Sequence, residues 1–112
     1  MLNRSAVVVK PKQPFLDWLR TADPTSGGIT LGELEQDPTI YLIPECDTEG
    51  DLRKALRKLC GEIFVEELAA WWTDEKSWPQ DRGFTVFCRW FEWQHHSMLI
   101  DLYDRPLIDD AN

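Results

Sequence analysis

One stretch sets the scale of the whole chain: the amphipathic segment running from Thr48 to Thr73. Asp47 and Thr48 offer N-caps. Thr48-x-x-Asp51 approximates a capping box, in which side-chain oxygens satisfy the free N–H groups of a helix start. Beyond that cap, Leu52, Ala55, Leu56, Leu59 and Ile63 fall on one helical stripe, with Arg53, Lys54, Arg57 and Lys58 opposite. Unbroken to Trp72, such a helix would be about 36 Å long at 1.5 Å per residue. A chain of 112 residues makes one small domain, whose expected diameter is shorter than that. Gly61 is the natural break. The pattern therefore predicts two consecutive helices, 48–60 and 62–73, with Phe64, Leu68 and Trp71 or Trp72 facing inward.

The remaining elements must pack against that helical unit. Ser5–Lys10 is rich in β-branched residues and bounded by Pro11, which predicts a strand. Pro14 suits the first turn of a helix, where its missing N–H costs nothing, and Phe15, Leu16, Trp18 and Leu19 follow at helical spacing. Pro24 and Gly27-Gly28 end that helix, and 25–38 reads as loop with one helical turn at Leu31–Glu35. Ile40–Ile43, an apolar run between Pro38 and Pro44, predicts a second strand covered on both faces. Phe84, Phe87, Cys88 and Phe91 recur at helical spacing and predict a helix over 80–91, and Trp93–Leu102 a third strand. The last residues, 107–112, are expected to fray. The expected fold is α+β: a small three-stranded sheet packed by about four helices, in the order β-α-β-α-α-α-β, forming a single domain over 1–112.

Charge excludes one class of function. Asp and Glu number 20 against 12 Lys and Arg, a net charge of −8, and phosphate binding needs a basic patch. Nucleic acid is therefore not an expected partner. The imbalance is local: residues 21–51 hold eight acids and no Lys or Arg, while the rest of the chain cancels. Such a run is ordinarily a solvated face; its functional reading is an acidic surface that steers a basic protein partner. No segment approaches the ~18 apolar residues of a membrane span, so no membrane association is expected. Cys46, Cys60 and Cys88 are odd in number and form no C-x-x-C pair, which suits reduced thiols in the cytoplasm.

Catalytic constellations are sparse. His95, His96, Ser97 and Asp101 form the most conspicuous cluster. Neighbouring strand residues point to opposite faces, so His95 and His96 cannot easily share a metal. His95 and Asp101 would lie about 20 Å apart along a strand. Cys88 falls on an apolar stripe, Cys46 sits between two acids, and Cys60 lies at an expected helix end; each setting disfavours a thiolate. Asp47-x-Glu49-x-Asp51 lacks the glycine and distal glutamate of a calcium loop. Glu66-Glu67 reads as a solvated acidic pair. Neither a cofactor nor a metal is called for. The six Trp residues of the chain crowd into 71–93 with the exception of Trp18, and serve either as core or as a ring-lined binding surface.

Asn3-Arg4-Ser5-Ala6, Tyr41-Leu42-Ile43-Pro44, Phe64 through Trp72, Trp90-Phe91 and His96-Ser97-Met98 ending in Asp101-Leu102 span most of the chain. In these elements it resembles a group of small bacterial hypothetical proteins of similar length. That resemblance implies a short N-terminal strand and another after Trp93, and carries no activity, cofactor or catalytic residue. The expectation is thus a non-catalytic binding or protein-interaction module. Tyr41, Trp93 and Leu99 on the second face of the sheet would make it too apolar to stay wet, so that a homodimer would cover it. Candidate binding residues are Tyr41, Trp72, Trp78, Trp93, His95, His96 and Asp101. The alternative is a small enzyme or ligand-binding protein with an aromatic cleft, using His95 or His96 as a base with Asp101 or Asp104 nearby.

Overall fold

The computed structural model describes residues 2–109. Three strands, β1 (Arg4–Pro11), β2 (Thr39–Pro44) and β3 (Phe91–His96), form an antiparallel sheet in the order β2-β1-β3. Four helices accompany them: α1 (Gln13–Ala22), α2 (Leu31–Glu35), α3 (Glu49–Trp71) and α4 (Phe84–Trp90). The α+β class and the three-strand, four-helix composition are those expected. Residues 107–109 are exposed and outside any helix or strand, and the rest of the expected frayed end, 110–112, lies outside the described residues.

The 48–73 region departs from expectation. It is one helix of 23 residues, with Thr48 Oγ1 accepting from the Asp51 N–H at 3.0 Å. Gly61 does not break it. The buried stripe Leu52, Leu56, Cys60, Ile63, Phe64, Glu67, Leu68 runs past the glycine without a phase change. A glycine inside a helix costs only about 0.5–1 kcal/mol relative to alanine, which such a stripe easily outweighs. The domain is also longer than a sphere, 44 × 31 × 25 Å, and holds the helix along its length. A methyl added at Gly61 meets nothing within 4 Å. Gly61→Ala should therefore stabilise the fold by about 0.5–1 kcal/mol, read as a higher urea midpoint at unchanged slope.

The helix expected over 80–91 is confined to Phe84–Trp90, because the residues before it form local turns. The Arg82 guanidinium donates to the Pro79 carbonyl at 2.8 Å, and the Gly83 N–H donates to Asp81 Oδ1 at 3.0 Å. The third strand, expected over 93–102, starts at Phe91 and stops at His96. The β1–β3 ladder ends at Ala6↔His96, although β1 itself continues to Arg4 and pairs there with β2. Leu2 N–H still reaches the Leu99 carbonyl at 2.8 Å.

Register decides which side chains see the helices. Val7 lies opposite both Tyr41 and His95, and Val9 opposite Thr39 and Trp93. Val7 and Val9 are fully buried. This face packs with Phe15, Leu19, Leu56, Phe64, Leu68 and Phe87 into one core. The other face, carrying Ala6, Val8, Lys10, Ile40, Leu42, Glu92, Gln94 and His96, has no helix over it among the described residues. Two expectations fall here. β2 is an edge strand covered on one face only, as its flanking prolines allow, since an edge tolerates a missing N–H. Tyr41 and Trp93 belong to the helix-covered face, and Leu99 lies beyond β3.

Candidate functional site

Most of the tryptophans build the wall of the core. Trp93 stacks on Phe87 with centroids 5.4 Å apart, and Trp90 packs on Phe64 at 5.3 Å and beside Trp18 at 6.3 Å. The polar ends of two rings are tied to backbone: Trp18 Nε1 donates to the Ser77 carbonyl and Trp78 Nε1 to the Trp72 carbonyl. Trp72 and Trp78 are half-buried, and the Trp72 Nε1 is buried without a partner. Trp72, Trp78 and Trp93 are partly buried and pack against the core. Trp72 follows the end of α3, Trp78 lies in the α3–α4 connection and Trp93 is on β3.

Tyr41 faces a residue that the sequence placed in water. Its hydroxyl donates to Glu67 Oε2 at 2.5 Å, and Glu67 is only 6% exposed. Burial pushes the Glu67 carboxyl above its ordinary value, against the hydrogen bonds from Tyr41 and Thr39 that favour its charge. Burial and the neighbouring Glu67 together hold the Tyr41 phenol far above the usual tyrosine range. The missed signal was positional. Glu67 lies four residues after Ile63 and three after Phe64, on the buried stripe, while Glu66 beside it points outward.

The histidines and Asp101 are separated. His95 points under the helices, His96 stands exposed on the open face, and the Asp101 carboxylate accepts from the Tyr103 N–H at 2.9 Å on the exposed segment after β3. His95 does line a cleft of about 430 Å³ with Cys46, Asp47, Thr48, Leu52 and Ser97, where the β2–α3 loop meets the end of β3. Its Nε2 is buried and without a hydrogen-bond partner. The Cys46 thiol donates to the Pro44 carbonyl, and burial, then Asp51 and Asp47, push it up. Burial likewise raises Cys60. Both are protonated thiols at neutral pH, poor nucleophiles and poor metal ligands. Among the described residues, no group of three or more His, Cys, Asp or Glu side chains could hold a metal ion, and no helix is long and apolar enough to cross a membrane.

The open sheet face is the most unusual surface. Ile40 is 62% exposed and Leu42 51%, flanking the Val8 and Ala6 positions of β1. A shallow hollow of about 280 Å³ beside them is lined by Val8, Lys10, Glu92, Trp93 and Gln94. The segment after β3 adds exposed Met98, Ile100, Leu102, Tyr103, Leu107 and Ile108. No family model matches the chain, and no curated protein or solved structure matches it.

Proposed function

We propose that the chain is a non-catalytic protein-interaction module that works as a homodimer through the open face of its sheet. The observation that carries this reading is the pair Ile40 and Leu42, more than half exposed on a strand whose opposite face is core. Large apolar side chains gathered on one face of a sheet expose a patch that soluble monomers rarely keep, and a second copy removes it from water. The contact differs from the one expected from sequence: it uses the even-numbered side chains of β1 and β2, not Tyr41 and Trp93. The exposed acids Glu33, Asp37, Glu45, Asp47 and Glu49 precede and follow β2 along the chain and would steer a basic protein toward the dimer. Free thiols at all three cysteines favour a reducing compartment such as the cytoplasm.

Light scattering during gel filtration tests the reading. The unaltered chain should elute at twice its 13.1 kDa mass. Leu42→Lys, at an exposed position, should keep its circular dichroism and return to 13.1 kDa. A dimer that survives Leu42→Lys undiminished removes this face from the account.

A further inference from the structure

The accessible surface of the chain is 7877 Å². A compact monomer of 13.1 kDa exposes about 6,400 Å². The excess is about 1,500 Å², against the roughly 800 Å² per partner that a standard stable interface buries. The radius of gyration tells the same story, 15.3 Å where a compact chain of this length has about 13 Å. Two features contribute exposed apolar surface: the open sheet face and the segment after β3.

That segment has the composition of a buried element. Met98, Ile100 and Leu102 alternate with Leu99 and Asp101, and they are 69%, 62% and 94% exposed. The pattern is that of a strand with one apolar edge. The Leu2 N–H to Leu99 carbonyl bond carries the segment along the N-terminal residues, past the end of the ladder. Ile40 and Leu42 stay more than half exposed, as do Met98, Ile100 and Leu102, so the segment does not cover its own open face. Residues 100–109, when extended, reach about 33 Å, while the outer strands of a three-stranded sheet are only about 10 Å apart.

Resting on the homodimer reading above, we propose that the segment 98–108 of each copy lies across the open sheet face of the other. One chain supplies both halves of the contact, an apolar face and an apolar strap. Exchange under a two-fold axis uses each of them once and closes the assembly. The open face sets Lys10 opposite Glu92, and the strap carries Asp101 and Asp104 with Arg105, so both surfaces are of mixed charge and neither opposes the contact with a block of like charge. The hollow beside Val8 gives strap side chains a seat.

The test uses two full-length variants at exposed positions, Leu42→Lys on the face and Leu102→Asp on the strap. Each alone should sediment at half the mass of the unaltered protein. Mixed in equal amounts they should recover the dimer mass. In the mixed pair one contact sets Lys against Asp and the other is native, whereas each variant alone is mismatched at both. A Leu102→Asp chain that stays dimeric while Leu42→Lys dissociates keeps the face as the interface and overturns the exchanged strap. Two monomeric variants that fail to recover on mixing also overturn it, because a face-to-face pair or a strap folded on its own sheet gives no rescue. An unaltered chain that is monomeric at every concentration overturns the homodimer reading itself.

Discussion

Phe64→Ala should lower the unfolding free energy by about 3–5 kcal/mol, the cost of emptying a fully buried aromatic site. Phe64 stands where α3 meets α4 and β3. Its ring lies 5.0 Å from Phe91 on β3, 5.3 Å from Trp90 and 6.4 Å from Phe87 on α4. It is itself held on the long helix α3. No single neighbour can fill the space, because those rings are fixed by contacts of their own with Phe15, Trp18 and Trp93. Domains of this size hold roughly 5–15 kcal/mol in all, so the variant should melt roughly 10 °C or more below the unaltered chain. Phe84→Ala offers the comparison. Phe84 is half-buried, with Arg57 over its outer ring face at 5.3 Å, and its loss should cost clearly less. Equal melting of Phe64→Ala and the unaltered chain would place the core elsewhere.

Tyr41→Phe should cost about 1–3 kcal/mol at neutral pH, the price of leaving a buried acceptor without its donor. The loss should shrink in acid. Glu67 has its carboxyl raised above the ordinary value near 4.5, so the folded state prefers it protonated. Its contribution to stability is fully present below that ordinary value and is lost as pH rises through the raised one. Removing the Tyr41 donor takes away a bond that favours the charged form, so the pH dependence should steepen. Glu67→Gln carries no charge at any pH. It should flatten the dependence and be more stable than the unaltered chain at neutral pH, with the gain vanishing below about pH 4.5. Urea midpoints of the three proteins from pH 4 to 8 check this. A Glu67→Gln variant less stable at neutral pH than in acid relative to the unaltered chain would contradict it.

β1, β2, α1 and the capped start of α3 were legible because each rests on local chemistry: short β-branched or apolar runs bounded by prolines, an N-terminal proline, the Thr48 hydroxyl. The continuity of α3 was not. A length argument that assumed a spherical domain overruled the stripe, although Cys60, Ile63, Phe64 and Glu67 kept their phase across Gly61. Trp90 and Phe91 are adjacent apolar residues across the junction of helix 84–90 and strand 91–96, so periodicity could not fix it; the turns at Asp81 and the register with Pro11 do. The face assignments needed register, which no single strand reveals. Val7 opposite Tyr41 turns that tyrosine inward and leaves Ile40 and Leu42 outside. The candidate site was read in part. His95 and His96 do point to opposite faces, as strand geometry requires, while Asp101 lies beyond the strand and joins neither. Glu67 went unread because an adjacent pair of acids looks solvated until helical phase is counted from Ile63.

Sedimentation velocity of the unaltered chain across a wide concentration series tests the central claim most directly. The open sheet face and the exposed apolar segment beside it predict a species of twice the 13.1 kDa chain mass, with a shape compact for that mass. A single 13.1 kDa species at every concentration would contradict the homodimer and leave Ile40 and Leu42 exposed to water without a partner.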